Sequence, residues 1–162
     1  MRRLLGALGA LLVTLTIASP ARAVPDVPLD VYLDHVAPLA LEWPARGTLT
    51  DGFGYRWGRP HLGLDIGILA SLDVVAAESG TVTAAGWLTG YEGYGNVVTV
   101  DSGGGISQLY AHLSAGSVVP GQWVDAGDPI GIAGCTGSCT GTHLHFELRR
   151  NGVPLDPLPF LP

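Results

Sequence analysis

The chain has 162 residues, with eight arginines, no lysine and fourteen acidic residues, so its formal net charge is −6 at neutral pH. It contains no basic cluster with interleaved aromatic residues, which argues against a nucleic acid as partner. The acidic balance also gives no long-range attraction to any other anionic polymer, so such a substrate would be held by short-range contacts.

The N-terminus has the three parts of a secretory signal peptide, which we predict to span residues 1–23. Arg2 and Arg3 form the basic start, residues 4–17 are apolar, and Ala-Arg-Ala at residues 21–23 forms a small-residue cleavage site. The apolar stretch is shorter than the about 20 residues of a membrane-spanning helix, which disfavours an uncleaved anchor. The remaining chain, with five arginines and a net charge of −9, has no later apolar stretch long enough to span a membrane and is expected to be secreted.

Residues 24–42 form a lead-in punctuated by prolines, in which a short helix is predicted over residues 29–35. His35 lies in this segment and is interpreted as a hydrogen-bonded structural histidine. Neither an internal repeat nor a low-complexity linker follows, so residues 43–162 are predicted to form a single domain.

The rest of the chain has the pattern of an all-β domain. Short runs of β-branched and apolar residues, bounded by some of the chain's 24 glycines and 12 prolines, predict strands. The runs are residues 74–76, 80–87, 96–101, 106–112, 122–125, 129–133 and 143–149. The glycine-rich segments 90–95 and 102–105 are predicted to be turns or loops.

Residues 119–131 resemble the strand-turn pattern of biotinyl and lipoyl carrier domains. Those carriers are modified on a lysine, and this chain has none, so it is not a carrier. The shared pattern instead predicts a compact antiparallel β-sheet sandwich related to the barrel-sandwich hybrid.

Four of the five histidines fall in three short segments, which are residues 61–65, 110–112 and 143–145. Side chains two or four residues apart on an extended strand share a face. His143 and His145 therefore share a face, as would His61 and Asp65 if the backbone is extended there. Gly63 adds no side chain between the latter two and would leave room for an ion. Two imidazoles and one carboxylate, with a fourth position open, are typical of a catalytic zinc site.

The competing interpretation is a closed zinc knuckle formed by Cys135, Cys139, His143 and His145. Finger-type sites need a long spacer between the two pairs and histidines three to five residues apart, and the pairs here are too close. The knuckle also leaves the histidines and the aspartate of the other two segments unexplained.

The residues around the three segments carry a family resemblance. The first lies within Thr-Asp-Gly-Phe-Gly-Tyr-Arg-Trp-Gly-Arg-Pro-His-Leu-Gly-Leu-Asp-Ile (residues 50–66), the second within Tyr-Ala-His-Leu-Ser (110–114), and the third begins His-Leu-His-Phe-Glu (143–147) after a loop rich in glycine and hydroxyl residues. Over residues 43–156 this order closely resembles the M23 family of zinc metallopeptidases, the lysostaphin type of peptidoglycan endopeptidase.

The resemblance implies one Zn²⁺ per chain, held by His61, Asp65 and His145, with His112 and His143 as the catalytic pair. Zinc with three protein ligands holds a water and lowers its pKa to about 7. Histidine can take up or donate a proton near neutral pH or stabilise an oxyanion, and the division of roles between the two imidazoles stays open.

The implied activity is hydrolysis of peptide bonds in peptidoglycan, in a groove flanked by the glycine-rich loops. Tyr110 and Tyr91 are the candidate groove residues. The His-Glu-x-x-His motif is absent, so Glu147 is not assigned as general base; it either lies close behind the site or pairs with Arg149.

Cys135 and Cys139 are the only cysteines. An exported chain meets oxidising conditions, so we predict a disulfide that stiffens the turn before His143. The family more usually has small hydroxyl residues in this loop, and the pair is a departure from its pattern.

Two other functions compete with catalysis: a non-catalytic protein of the same fold that binds or activates another wall hydrolase, and a wall-binding module. The presence of all three implied ligands and both catalytic histidines favours the enzyme. Peptidoglycan peptides are the expected partner and the cell wall the expected location, whereas the oligomeric state, the bond that is cut and latency through residues 24–42 stay open.

Overall fold

The structure is a computed structural model that describes residues 39–56 and 58–162. These residues form twelve β-strands and one short 3-10 helix, Leu158–Phe160, and they contain no α-helix. The strands are β1 (Thr48–Asp51), β2 (Gly54–Arg56), β3 (Arg59–His61), β4 (Leu64–Gly67), β5 (Asp73–Val75), β6 (Gly80–Trp87), β7 (Asn96–Gly103), β8 (Ile106–Gly116), β9 (Trp123–Val124), β10 (Pro129–Ala133), β11 (Leu144–Arg150) and β12 (Val153–Leu155).

Ten of the strands build one antiparallel sheet. Its main order is β1-β4-β11-β8-β7-β6-β9, β12 extends from β11, and β10 joins β8 to β5. Strands β2 and β3 form a separate hairpin. The prediction of an all-β antiparallel fold is confirmed, and each of the seven predicted runs overlaps one strand.

Strand β11 separates the hydrophobic core from the opposite face of the sheet, which carries His145 and Glu147. Leu144, Phe146 and Leu148 point into the main core, where all three are fully buried. Because side chains alternate along a strand, His145 and Glu147 point to the opposite face. There they lie across from Ala111 and Leu109 of β8 and are also buried.

The second face is covered by the segment that connects β6 to β7. Leu88, Tyr91 and Tyr94 of this segment pack against a small apolar cluster formed by Val97, Leu109 and Ala111. The sheet is therefore buried on both sides at its centre, which explains why β8 and β11 are the most continuously buried strands.

The carrier-like segment, residues 119–131, contains two turns at glycines. Gly121 and Gly127 have φ values of +88° and +85°, a region that residues with a side chain rarely adopt. They lie on either side of β9, so these two glycines turn the chain between strands.

The predicted signal peptide, the predicted helix at residues 29–35 and His35 lie outside the described residues. Of the predicted lead-in, Leu41 is buried in the core and its amide donates to the carbonyl of Phe160. Within residues 39–56 and 58–162, no helix is long and apolar enough to cross a membrane.

Candidate metal centre

Strand pairing brings three polar side chains to one point. Asp65 on β4 lies directly across from His145 on β11, and His61 ends β3. His145 Nδ1 is 2.8 Å from Asp65 Oδ1, and His61 Nε2 is 3.0 Å from both of these atoms. The three atoms thus converge from three different strands.

The outer nitrogens of both imidazoles are already engaged. His61 Nδ1 lies 2.7 Å from the carbonyl oxygen of Gly52, and His145 Nε2 lies 3.1 Å from a carboxylate oxygen of Glu147. Both partners accept hydrogen bonds, so in the neutral imidazoles these nitrogens carry the protons. His61 Nε2 and His145 Nδ1 then present lone pairs to a carboxylate oxygen.

The electrostatics of the cluster reflect this crowding of acceptor atoms. Burial alone would raise the pKa of the Asp65 carboxyl, but its hydrogen bonds to His145 and His61 hold that pKa well below its usual range. Burial alone would lower the pKa of His145, and Asp65 and Glu147 raise it instead. Both directions indicate a site that attracts positive charge.

The donor set fits a divalent metal such as zinc. Two imidazole nitrogens and one carboxylate oxygen, all within 4.8 Å of one another, match the ligands of a three-coordinate protein site with one position left open. A metal ion would supply the positive charge that three converging lone pairs require.

Arg56, which the sequence did not single out, holds the other oxygen of the aspartate. Its Nη2 lies 3.4 Å from Asp65 Oδ2, and its Nη1 pairs with Asp51. With Oδ2 turned towards the guanidinium, Oδ1 is left facing the imidazoles of the cluster.

Gly63 has a different role from the predicted one. The chain bends between β3 and β4, so His61 and Asp65 do not share the face of one extended strand. A Cβ at residue 63 would collide with the backbone of Phe146. The glycine therefore makes room for strand β11 rather than for an ion.

His112 reaches the site through a bulge in β8. The register between β7 and β8 shifts at this point, with one extra residue in β8, and His112 has a φ of +60°. Regular alternation would direct its side chain to the core side, with Tyr110; the bulge redirects it to the site. Its Nδ1 is 2.8 Å from the carbonyl oxygen of Thr136, and burial lowers the pKa of His112.

His143 stands beside His112, with the ring centroids 4.7 Å apart. Its Nδ1 is 2.7 Å from the carbonyl oxygen of Gly141, and its Nε2 is 3.8 Å from Asp65 Oδ1. Each imidazole of this pair thus has Nδ1 engaged by a backbone carbonyl and Nε2 left for another partner.

These side chains line an open groove of about 520 Å³. Its walls come from the β2–β3 hairpin, the segment between β6 and β7, and the loop before β11. Its lining residues are Asp51, Arg56, Arg59, Pro60, His61, Leu62, Asp65, Gly90, Gly93, Tyr94, His112, Ser138, Cys139, Thr140, His143 and His145.

Two of the walls are bonded to each other. The Ser138 amide donates to the Gly93 carbonyl at 2.8 Å, and the Asn96 amide donates to Thr136 Oγ1 at 2.9 Å. A Cβ at Gly95 would collide with Thr136, so the two loops meet backbone to backbone at this point.

The loop before β11 contains the disulfide between Cys135 and Cys139 that the sequence predicted. Because both sulfur atoms are in this bond, the structure rules out the closed knuckle that would have used them as metal ligands. Cys139 also lines the groove, with Sγ 3.8 Å from His143 Nδ1.

The prediction that Tyr110 lines the groove is wrong. Its side chain is fully buried, packs on Phe146 and accepts a hydrogen bond from the Ala77 amide at 2.7 Å. Tyr91 is not among the described residues that line the groove and packs against Tyr94, with ring centroids 5.7 Å apart. The groove tyrosine is Tyr94, which the sequence interpretation missed.

Fold and site together define an all-β domain with a candidate metal centre in an open groove. The sequence model of the family described as "Peptidase family M23" matches residues 59–157, more than half of the chain. The chain belongs to peptidase family M23.

Three comparisons illustrate the range of its relatives. Over 117 residues the chain is 40% identical to the DD-carboxypeptidase/endopeptidase Mpg of Neisseria meningitidis serogroup B, covering 68% of this chain and 26% of that protein. Over 125 residues it is 36% identical to the murein hydrolase activator EnvC of Escherichia coli, covering 74% and 28%. The antimicrobial peptidase lysostaphin from Staphylococcus simulans is similar in structure, with a TM-score of 0.62 and 34% sequence identity over 72% of this chain and 49% of that chain.

The chain spans about a quarter of the length of these two curated relatives. One is named as a peptidase and the other as an activator of hydrolases. Family membership therefore establishes the fold of this chain but does not by itself establish its activity.

Proposed function

We propose that the protein is a secreted zinc metallopeptidase that hydrolyses peptide bonds in bacterial peptidoglycan. The observation that carries the proposal is the convergence of His61, Asp65 and His145 beside a second pair of imidazoles, His112 and His143, in one open groove. The names of the relatives support the substrate class, since they include an endopeptidase, an activator of murein hydrolases and an antimicrobial peptidase.

In this proposal His61 Nε2, Asp65 Oδ1 and His145 Nδ1 hold one zinc ion. Zinc bound there would act as a Lewis acid, acidifying a water molecule and polarising the carbonyl group of the substrate. The protein fixes the orientation of each ligand: Gly52 and Glu147 engage the outer ring nitrogens.

The imidazoles of His112 and His143 would move the protons of the reaction. In each ring Nδ1 is engaged by a backbone carbonyl, which leaves Nε2 available in the groove. One Nε2 can accept a proton from the attacking water, and the other can donate a proton to the leaving amine or to the developing oxyanion. Burial favours the neutral form of His112, the form that can accept a proton.

The groove suits a narrow, extended peptide. Two of its walls, the segment between β6 and β7 and the loop before β11, contribute mainly small residues, such as Gly90, Gly93 and Ser138, and the groove is open to solvent. We infer that the substrate is held by short-range contacts to these loops, since the chain is acidic overall. Residues 43–162 would form the peptidase domain, following a signal peptide at residues 1–23 and a lead-in at residues 24–42, and the protein would act at the cell wall.

The second candidate is a hydrolase activator, favoured by the 36% identity to EnvC. Retention of all five histidine and aspartate side chains in one cluster favours catalysis over this alternative.

Digestion of purified peptidoglycan by zinc-loaded protein tests the proposal. A peptidase releases free amino groups without new reducing sugar ends, and mass spectrometry of the fragments then identifies the bond that is cut. His61→Ala and His143→Ala should abolish release, whereas Trp123→Ala, an exposed residue on β9, should not. Absence of digestion by the wild type, or equal digestion by the histidine variants, would defeat the proposal. Stimulation of a separate wall hydrolase by an inactive wild type would support the activator instead.

A further inference from the structure

Glu147 is a carboxylate with no solvent exposure, buried on the face of β11 that carries the metal centre. Its Oε1 accepts hydrogen bonds from His145 Nε2 at 3.1 Å and from the hydroxyl of Tyr94 at 2.6 Å. Its Oε2 accepts from Arg149 Nε at 2.6 Å and pairs with Arg149 Nη2 at 2.5 Å. Donors from three residues therefore surround one carboxylate.

Burying a charge carries a desolvation cost that an apolar side chain of similar size would avoid. A purely structural role at this position would be met equally well by a leucine or methionine packed against Leu109. The carboxylate is instead held in one orientation by Arg149 and Tyr94, and its remaining contact is with a candidate metal ligand.

We infer that Glu147, clamped by Arg149 and Tyr94, is a positioning residue that fixes His145 in the tautomer and ring orientation that present Nδ1 to the metal. This inference rests on the metal site of the proposed function. An acceptor on the outer nitrogen of a ligating histidine selects the tautomer and increases the basicity of the inner nitrogen.

Tyr94 extends this arrangement to the second imidazole pair. Its hydroxyl bonds Glu147, its ring centroid is 5.6 Å from that of His145, and its carbonyl accepts the amide of His112 at 2.8 Å. One groove residue thus positions a candidate ligand through its side chain and the bulged histidine through its backbone.

The test measures zinc affinity directly, by competition with a chromophoric chelator, for the wild type, Glu147→Gln and Tyr94→Phe. Glutamine keeps the size of the side chain but cannot accept from His145, Tyr94 and Arg149 together. We expect zinc to bind 10- to 100-fold more weakly to Glu147→Gln, with a smaller loss in the same direction for Tyr94→Phe. Tyr110→Phe is the matched control, since it also removes a buried hydroxyl and its hydrogen bonds but lies in the core, and its zinc affinity should equal that of the wild type.

Long-range ¹H–¹⁵N spectra of the histidines in the zinc-loaded proteins report which ring nitrogen of His145 is protonated. This signal would not change if Glu147 had only a structural role. The wild-type spectrum should show His145 protonated at Nε2, and in Glu147→Gln this signal should shift or divide. Wild-type zinc affinity and an unchanged His145 signal in Glu147→Gln would overturn the inference. If Glu147→Gln does not fold, the Tyr94→Phe variant tests the inference instead. A zinc affinity of Tyr94→Phe equal to that of Tyr110→Phe would then overturn the inference. A wild type that binds zinc but leaves peptidoglycan intact would refute the proposed activity and leave this inference standing.

Discussion

Asp65 and His145 face each other across β4 and β11, with Asp65 Oδ1 2.8 Å from His145 Nδ1. Because they are register partners in the sheet, their separation is set by backbone pairing rather than by flexible loops. Only His61 approaches from outside this ladder, at the end of the β2–β3 hairpin. Two of the three candidate ligands are therefore preorganised by the same hydrogen bonds that hold the sheet together.

The charge of Asp65 should be essential for metal binding. Asp65→Asn retains the shape of the side chain but removes the negative charge that faces two imidazoles, so zinc affinity should fall about 100-fold, corresponding to about 3 kcal/mol. Chelator competition and metal content after dialysis measure this loss. Asp73→Asn, at an exposed aspartate on β5, should bind zinc as the wild type does. Equal affinity for Asp65→Asn and Asp73→Asn would contradict the assignment of Asp65 as a ligand.

Zinc should stabilise the folded protein by mass action. At a free zinc concentration 100 times the Kd, the free energy of unfolding should rise by about 2.7 kcal/mol, which raises Tm by about 10 °C for a domain of about 120 residues. Differential scanning fluorimetry with and without a chelator measures the shift. His61→Ala should remove most of it, and a shift that survives in this variant would place the metal elsewhere.

The strands that the sequence predicted best are those whose pattern is local. The predicted runs 80–87 and 129–133 have the same bounds as β6 and β10. Each is a run of mainly apolar and small residues with turn-forming residues nearby on both sides. The hairpin β2–β3 and the short strands β1, β4 and β12 were not predicted separately. They contain three or four residues each, too few for a period to be recognised, and two of them, β4 and β12, are held by pairing with the longer strand β11.

Sequence reasoning placed the site residues correctly where side chains alternate regularly along a strand. It misplaced or missed them at a bulge and in an irregular segment. His145 on β11 and His143, the residue before that strand, both face the groove, as two-residue spacing predicts. Tyr110 is two residues from His112, so regular alternation would put both side chains on the same side of the sheet, but the bulge at His112 sends them to opposite sides. Tyr94 lies in an irregular segment, where no periodicity indicates the direction of a side chain.

The disulfide should stabilise the fold and the catalytic geometry without affecting metal binding. Replacing Cys135 and Cys139 together by serine removes a short covalent ring, which should lower the free energy of unfolding by about 2 kcal/mol. Peptidase activity should fall as well, since the same loop supplies the Thr136 and Gly141 carbonyls that engage His112 and His143.

Urea unfolding and zinc competition, each with and without a reducing agent, separate the two effects of the disulfide. The double variant should bind zinc normally and should not respond to the reducing agent, whereas the wild type should become like it on reduction. An unchanged unfolding midpoint in the double variant, or two freely reactive thiols in the exported wild type, would contradict a structural role for the bond.

Gly63→Ala should destabilise the protein although it adds only one methyl group. The new Cβ would overlap the carbonyl of Phe146, and moving β11 away would break its pairing with β4, so a loss of about 1–3 kcal/mol is expected. Gly52→Ala is the matched control, because no atom lies within 4 Å of the Cβ it would add. If both variants unfold at the same urea concentration as the wild type, the close approach of β11 does not explain the glycine. If Gly63→Ala is stable but binds zinc weakly, the glycine instead makes room for the ion, as the sequence first indicated.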